Sequence, residues 1–371
     1  MNHQRRTPLK YTRSSWAVLG LVRFLLAGVV FFAHLRGFTR VPGWISTIIQ
    51  FDASSAVIAF FLISGVSIGH SYLHSRNGFL KRRFLRIYPL YCVAVLSAMG
   101  IAWFYGSTLS WRNTTLHDIG LANSIGNLFM LQGVTCSTVG FNFPLWSINI
   151  EVFYYVLTPL FFRLNRSIIV LSISISLYLF TIRMRLLPEV YFLSQSGFWA
   201  LAWAWLTGFL LARESQTILS CLFVTTGAIL IYLSGDKAYG GITIGLTLMT
   251  ILVAGKLRIP SCAEAFFEWL GDLSYPLYCL HTPICIILTL NRAPVAYWRV
   301  ITLTLFLTTL FYYIFDVFCK KMIFRPAADH FEKWCAPPLQ RIKSKIPFQR
   351  LYETFPIIFR TDATSAGDAE Q

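Results

Sequence analysis

The sequence predicts an all-α fold: a polytopic transmembrane bundle of about ten helices with both termini in the cytoplasm. Three observations carry this. First, the 371 residues are 56% hydrophobic and only 13% charged, about half the charge of an ordinary soluble domain. Second, the mean hydropathy is +0.59, and the apolar runs are too long and too many for one buried core. Third, the basic residues gather in alternate loops, the bias that orients polytopic chains.

The apolar runs fall at 16–38, 52–73, 85–106, 142–162, 168–182, 195–212, 217–234, 239–255, 270–291 and 297–319. A spanning helix needs roughly 20 apolar residues, and the shorter runs can tilt or thin the bilayer. The first run follows Arg5, Arg6, Lys10 and Arg13. It is longer than a signal-peptide core and lacks a small-residue cleavage site, so it is expected to be retained. Segment 117–135 holds Asp118, Asn123 and Asn127, and is expected to be a partly buried, non-spanning element in an external loop. Counting it as a span would invert every later loop and move Lys320, Lys321 and Arg325 outside.

This topology divides the chain into a basic cytoplasmic N-terminus (1–15), a transmembrane domain (16–319) and a basic cytoplasmic tail (320–371). It also accounts for the net charge of +16, so nucleic acid is not expected as a partner. The lipid bilayer is. The eight cysteines form no CxxC pair and no metal-ligand spacing, and no metal is expected. Aromatics at 16% suit membrane–water interfaces.

Ionisable residues inside a bilayer are functional suspects, and here they are few. Arg23 and His34 lie in the first run, eleven residues apart. That is about 1100°, or ~20° beyond three turns, so they share one helix face roughly 16 Å apart. A snorkelling Arg and a hydrogen-bonded structural His would account for them equally well. Glu151 lies in the fourth run at a depth similar to His34, and a buried carboxylate needs a partner. Glu151 is therefore expected to orient His34, as a carboxylate orients an imidazole base; a structural ion pair is the plainer reading. Arg83 and Arg86, with Arg82 and Lys81, open the third run. Guanidinium forks match phosphate oxygens, although such a cluster also serves simply to set topology. Asp272 and Asp316 fall near span ends and are expected to be interfacial.

Five segments together resemble the acyltransferase-3 family of polytopic membrane O-acyltransferases. They are RFLLAGVVFFAH (23–34), AVIAFFLISG (56–65), RRFLRIYP (82–89), PLWSINIE (144–151) and LGDLSYPLYCLHTP (270–283). Each is weak alone, but their shared order across the chain is specific. The sequence departs from the family pattern at Ile58, Val152 and Phe153, where many members carry Asp, a second acid and Gln. It is expected to be a stand-alone member without an appended extracytoplasmic hydrolase-like domain.

The resemblance implies an O-acyltransferase in a bacterial cytoplasmic (inner) membrane. No cofactor is bound; acyl-CoA, expected to be acetyl-CoA, is the donor substrate. The acceptor would be a carbohydrate hydroxyl of an exopolysaccharide, lipopolysaccharide or lipid-linked oligosaccharide. Carried over by position, His34 would be the base or a transient acyl carrier, Glu151 its orienter and Arg23 a guide for the donor arm. Arg83 and Arg86, beside Arg82, would bind the CoA phosphates. His281 is a second histidine candidate, and Ser64, Trp146, Ser147, Ser274 and Tyr275 are expected supports. The competing class is a transporter or flippase for a lipid-linked sugar or polysaccharide. Such proteins tend to show internal repeats with broken helices in matching halves, and none is visible here.

Overall fold

The computed structural model describes residues 10–105, 110–111, 114–115, 120–140, 142–186, 197–234, 239–290 and 295–330. Most of the expected N-terminal segment and of the basic tail lies outside the described residues. The chain is an all-α membrane bundle. Its helices are α1 (Arg13–Leu35), α2 (Gly43–Ile49), α3 (Ala53–His74), α4 (Phe79–Tyr105), α5 (Leu121–Leu128), α6 (Leu145–Arg163) and α7 (Arg166–Leu186). They continue with α8 (Gly197–Ala200), α9 (Ala202–Glu214), α10 (Thr217–Leu233), α11 (Gly240–Ala254), α12 (Ser261–Thr289) and α13 (Tyr297–Phe311). The last helix runs on in π register over Tyr312–Phe324. A two-residue hairpin pairs Ser110–Trp111 with Thr114–Thr115.

Nine of the ten expected segments each fall on one helix, and the run 195–212 falls on α8 and α9. Among the described residues, six helices are long and apolar enough to cross a membrane, and α10 and α11 are shorter and apolar. Their outward faces present Leu25, Leu171, Tyr178, Leu222, Met249 and Phe306. That apolar surface suits lipid rather than water. Helix α5, eight residues long, rises only about 12 Å and is too short to cross.

Two close helix crossings set the frame. Helices α1 and α12 meet at Gly20 and Gly271, where a Cβ on Gly271 would lie 2.6 Å from the Gly20 Cα. Helices α3 and α9 approach closer still: a Cβ on Gly65 would overlap the Trp205 carbonyl, and one on Gly208 the Leu62 carbonyl. Without a hydrophobic drive between helices in lipid, such small-residue contacts let backbones pack directly.

The expected single run at 195–212 is broken at Leu201. The cause is a hydroxyl from α7. Ser176 Oγ donates to the Trp199 carbonyl at 2.6 Å and accepts from the Trp203 amide at 2.8 Å. It thereby stands in for the i→i−4 bond between those two residues, a recognised source of helix kinks. Helix α12 starts nine residues before its expected apolar run because α1 extends it. Arg13 donates twice to Glu268, each bond 2.8 Å, and Ser14 donates to Glu264.

Within α12, Pro283 has no amide to give the Cys279 carbonyl. Asn142, just before α6, fills that place with an Nδ2 donor at 3.0 Å. The α5 segment is tied down in the same way. Asn127 Nδ2 donates to the Asn123 and Ser137 carbonyls, and Asn127 Oδ1 accepts from the Val139 amide. The Tyr91 hydroxyl reaches the Asn127 carbonyl at 2.6 Å. Backbone polar groups that leave helical geometry inside a bundle are thus satisfied by side chains.

Candidate active site

Between α1, α3, α4, α6 and α12 lies a cavity of about 110 Å³. Arg23, Arg83, Arg86, Ser64, Glu151, Tyr155, Ser147, Tyr275 and Tyr278 are among its lining residues. Glu151 and Tyr155 are four residues apart on α6 and so share a face. Glu151 Oε1 accepts from Ser64 Oγ at 2.7 Å and from the Tyr155 hydroxyl at 2.5 Å. Ser64 can meet it because its neighbour Gly65 lets α3 and α9 pack backbone to backbone.

Two guanidinium groups, Arg23 and Arg83, share the cavity with this carboxylate, and Arg86 stands at its edge. Arg23 Nη2 donates to the Gly271 carbonyl at 3.4 Å. Arg83 Nη2 donates to Ser71 Oγ at 2.6 Å, while its buried Nε has no hydrogen-bond partner among the described residues. A small enclosed space with surplus positive charge favours an electron-rich oxygen, because charges act strongly where water is excluded.

The histidines lie beyond the cavity wall. Neither His34 nor His281 is among its lining residues. Their rings stack at 5.1 Å, with His34 Nδ1 2.9 Å from His281 Nε2. The protons follow from the acceptors. His281 Nδ1 lies 2.9 Å from the Leu277 carbonyl, which can only accept, so Nδ1 carries the hydrogen. With both rings neutral, His281 Nε2 then accepts and His34 Nδ1 donates. His34 Nε2 is left as the basic nitrogen of the pair. Tyr278 separates this pair from the cavity: its ring is 6.4 Å from His281 and its hydroxyl 2.6 Å from Ser147 Oγ. Ser147 gives its own hydrogen to the Pro144 carbonyl, so Tyr278 is the donor.

The expected pairing of Glu151 with His34 is therefore not the arrangement seen. Glu151 is bound by hydroxyls, and His34 by the second histidine. Similar depth put the two residues at one level of the bundle but on different partners.

Arg83 and Arg86 also part company. Arg83 points into the cavity. Arg86 stands between the cavity and an open basin of about 640 Å³. Its Nη1 donates to Asp272 at 3.0 Å and lies 3.9 Å from Asp316. The two aspartates expected at span ends are thus the partners of Arg86. Arg82 is exposed and donates to the Ser75 and Asn77 carbonyls.

Among the supports, Tyr275 donates to the Ile87 carbonyl at 2.8 Å and Ser274 to the Gly271 carbonyl at 2.6 Å. Trp146 packs half-buried against the core. Tyr155 lies outside the five resembling segments, whereas Tyr278 falls within 270–283. The four-residue step from Glu151 to Tyr155 was the available signal. Among the described residues no three His, Cys, Asp or Glu side chains gather as a metal site.

The fold is an all-α membrane bundle with a buried polar site, and comparison with known proteins gives its family. The family described as "Acyltransferase domain" matches residues 16–317, and the chain belongs to it: it is a member of the acyltransferase-3 family. Acyltransferase MdmB of Streptomyces mycarofaciens is similar, 35% identical over 120 residues. That alignment covers 31% of this chain and 30% of the relative, so the chain spans about a third of the relative's length. No solved structure matches.

Proposed function

We propose that the protein transfers an acyl group, acetyl from acetyl-CoA, to a hydroxyl of a carbohydrate at the bacterial cytoplasmic membrane. Family membership supports acyl transfer. The observation that supports the mechanism is the run of contacts Leu277 carbonyl–His281–His34, which in neutral rings puts the His34 hydrogen on Nδ1 and its lone pair on Nε2.

His34 Nε2 takes the proton of the acceptor hydroxyl. The alkoxide oxygen attacks the thioester carbonyl carbon, the carbon–sulfur bond breaks, and the thiolate leaves with the proton held by His34. His281 is the positioning residue: it holds the ring of His34 through the Nδ1–Nε2 contact. The thioester arm enters past Arg86 into the cavity, where Arg23 and Arg83 flank its path. Glu151, held by Ser64 and Tyr155, balances those arginines and keeps them aimed inward. To reach His34, the acyl end must pass Tyr278 and Phe60, whose rings meet edge-on at 5.8 Å.

The test is ester-linked acetate on surface glycan from native cells carrying wild type or His34→Ala at matched membrane levels. We expect acetate to vanish at normal glycan yield, with a turnover loss of about 10²–10⁴-fold. Unchanged acetate would remove His34 from the mechanism. Loss of the glycan itself would replace acyl transfer by transport.

A further inference from the structure

The last helix supplies charges that none of the five sequence segments includes. Its register is the reason they converge. In an α-helix, Asp316 and Arg325 would lie about 900° apart, on opposite faces. In the π register of Tyr312–Phe324, hydrogen bonds run from i to i+5, and residues four or five apart stack. Tyr312, Asp316, Lys320, Lys321 and Arg325 accordingly all line the basin beside Arg86.

Six cations and three carboxylates line that basin. The carboxylates are engaged: Asp272 and Asp316 with Arg86, Asp316 also with Lys320 at 3.3 Å, and Asp329 with Lys81 at 2.5 Å. Among the described residues Arg82, Lys321 and Arg325 have no ion-pair partner. They come from two separate helices and face one open space of about 640 Å³, within the ~300–1,000 Å³ usual for small-molecule sites. The adjoining cavity, about 110 Å³, admits only a narrow group. The two spaces meet at Arg86.

We propose that this basin is a phosphate site built across α4 and the π-helical stretch, with Arg82, Lys321 and Arg325 as its phosphate-binding cations. It takes the nucleotide end of the acyl donor while the thioester arm reaches the inner cavity. The proposal rests on the acyl-CoA reading above. Anionic lipid headgroups offer the same phosphate chemistry, and the experiment separates the two sources.

The full chain is reconstituted in nanodiscs of neutral lipid, and binding of adenosine 3′,5′-bisphosphate is measured without turnover. Wild type should bind saturably. The double variant Lys321→Gln/Arg325→Gln should weaken binding by about tenfold per charge removed, and Lys321→Arg/Arg325→Lys should restore most of it. In turnover, the Gln variant should raise KM for acyl-CoA by the same factor while KM for acyl-pantetheine, which lacks the nucleotide, stays within twofold. No binding by wild type, or equal binding by the Gln variant, overturns the site. Binding in neutral discs that disappears in phosphatidylglycerol discs assigns the basin to headgroups and overturns its donor role. Probe binding with no acyl transfer from any donor would overturn the acyl-CoA reading and leave the phosphate site standing.

Discussion

Two of the buried polar clusters in the bundle are built on opposite principles. The order of the His34–His281 pair comes from a backbone carbonyl passed through two rings. In the Glu151 cluster a carboxylate is held by two hydroxyls in the cavity that Arg23 and Arg83 also line. One cluster specifies where a proton sits, the other where charge sits. The familiar chain of acid, imidazole and nucleophile divides here into two neighbouring sites with Tyr278 between them.

The sharpest way to break this contrast is to remove the charge of one cluster and keep its shape. Glu151→Gln should lower turnover by roughly tenfold to a hundredfold, from the ~1.5–3 kcal/mol that hydrogen bonds to charged groups contribute. It should do so without disturbing the His34 tautomer, read from the imidazole nitrogen shifts of labelled protein. A changed tautomer would couple the clusters and sink the contrast.

Next in size is Asn142→Ala. It leaves the Cys279 carbonyl, two residues from His281, without its donor, so we expect a loss of about 1–3 kcal/mol in stability. The check is the unfolding midpoint in detergent; no shift would mean that water replaces the amide without loss.

The smallest effect is the most discriminating. In a double-mutant cycle on stability, His34→Ala and His281→Ala should couple by about 0.5–1.5 kcal/mol, the net worth of one hydrogen bond. His34→Ala and Glu151→Ala should add to within about 0.5 kcal/mol, as separate sites do. Comparable coupling in both cycles would erase the distinction.

The sequence makes the helices legible because bilayer thickness sets a length and hydropathy sets the faces. It also exposes the buried charges, since each stands out against an apolar run. What it offers for their partners is one coordinate, depth. Glu151 and His34 share a depth, but their azimuths around the bundle depend on crossings such as Gly65 against Gly208, which are tertiary. The same limit hides the break at Leu201. Its cause, Ser176, lies on another helix and is one serine among several in ISISIS-like sequence. The pairing of Arg86 with Asp272 and Asp316 escapes for a third reason: it spans three helices, and one of those acids is aimed by a π register that apolar periodicity does not announce.

The contact of α3 with α9 has a mechanical consequence. Their backbones touch at Gly65 and Gly208 with no side chain between them, so neither sliding nor rotation can occur there without collision. The two helices form a single stiff post. Elsewhere around the cavity, α4 and α12 are joined through longer side chains, Arg86 with Asp272 and Tyr275 with the Ile87 carbonyl, which can yield where backbone contacts cannot. On that side arginine and tyrosine, not glycine, hold the frame.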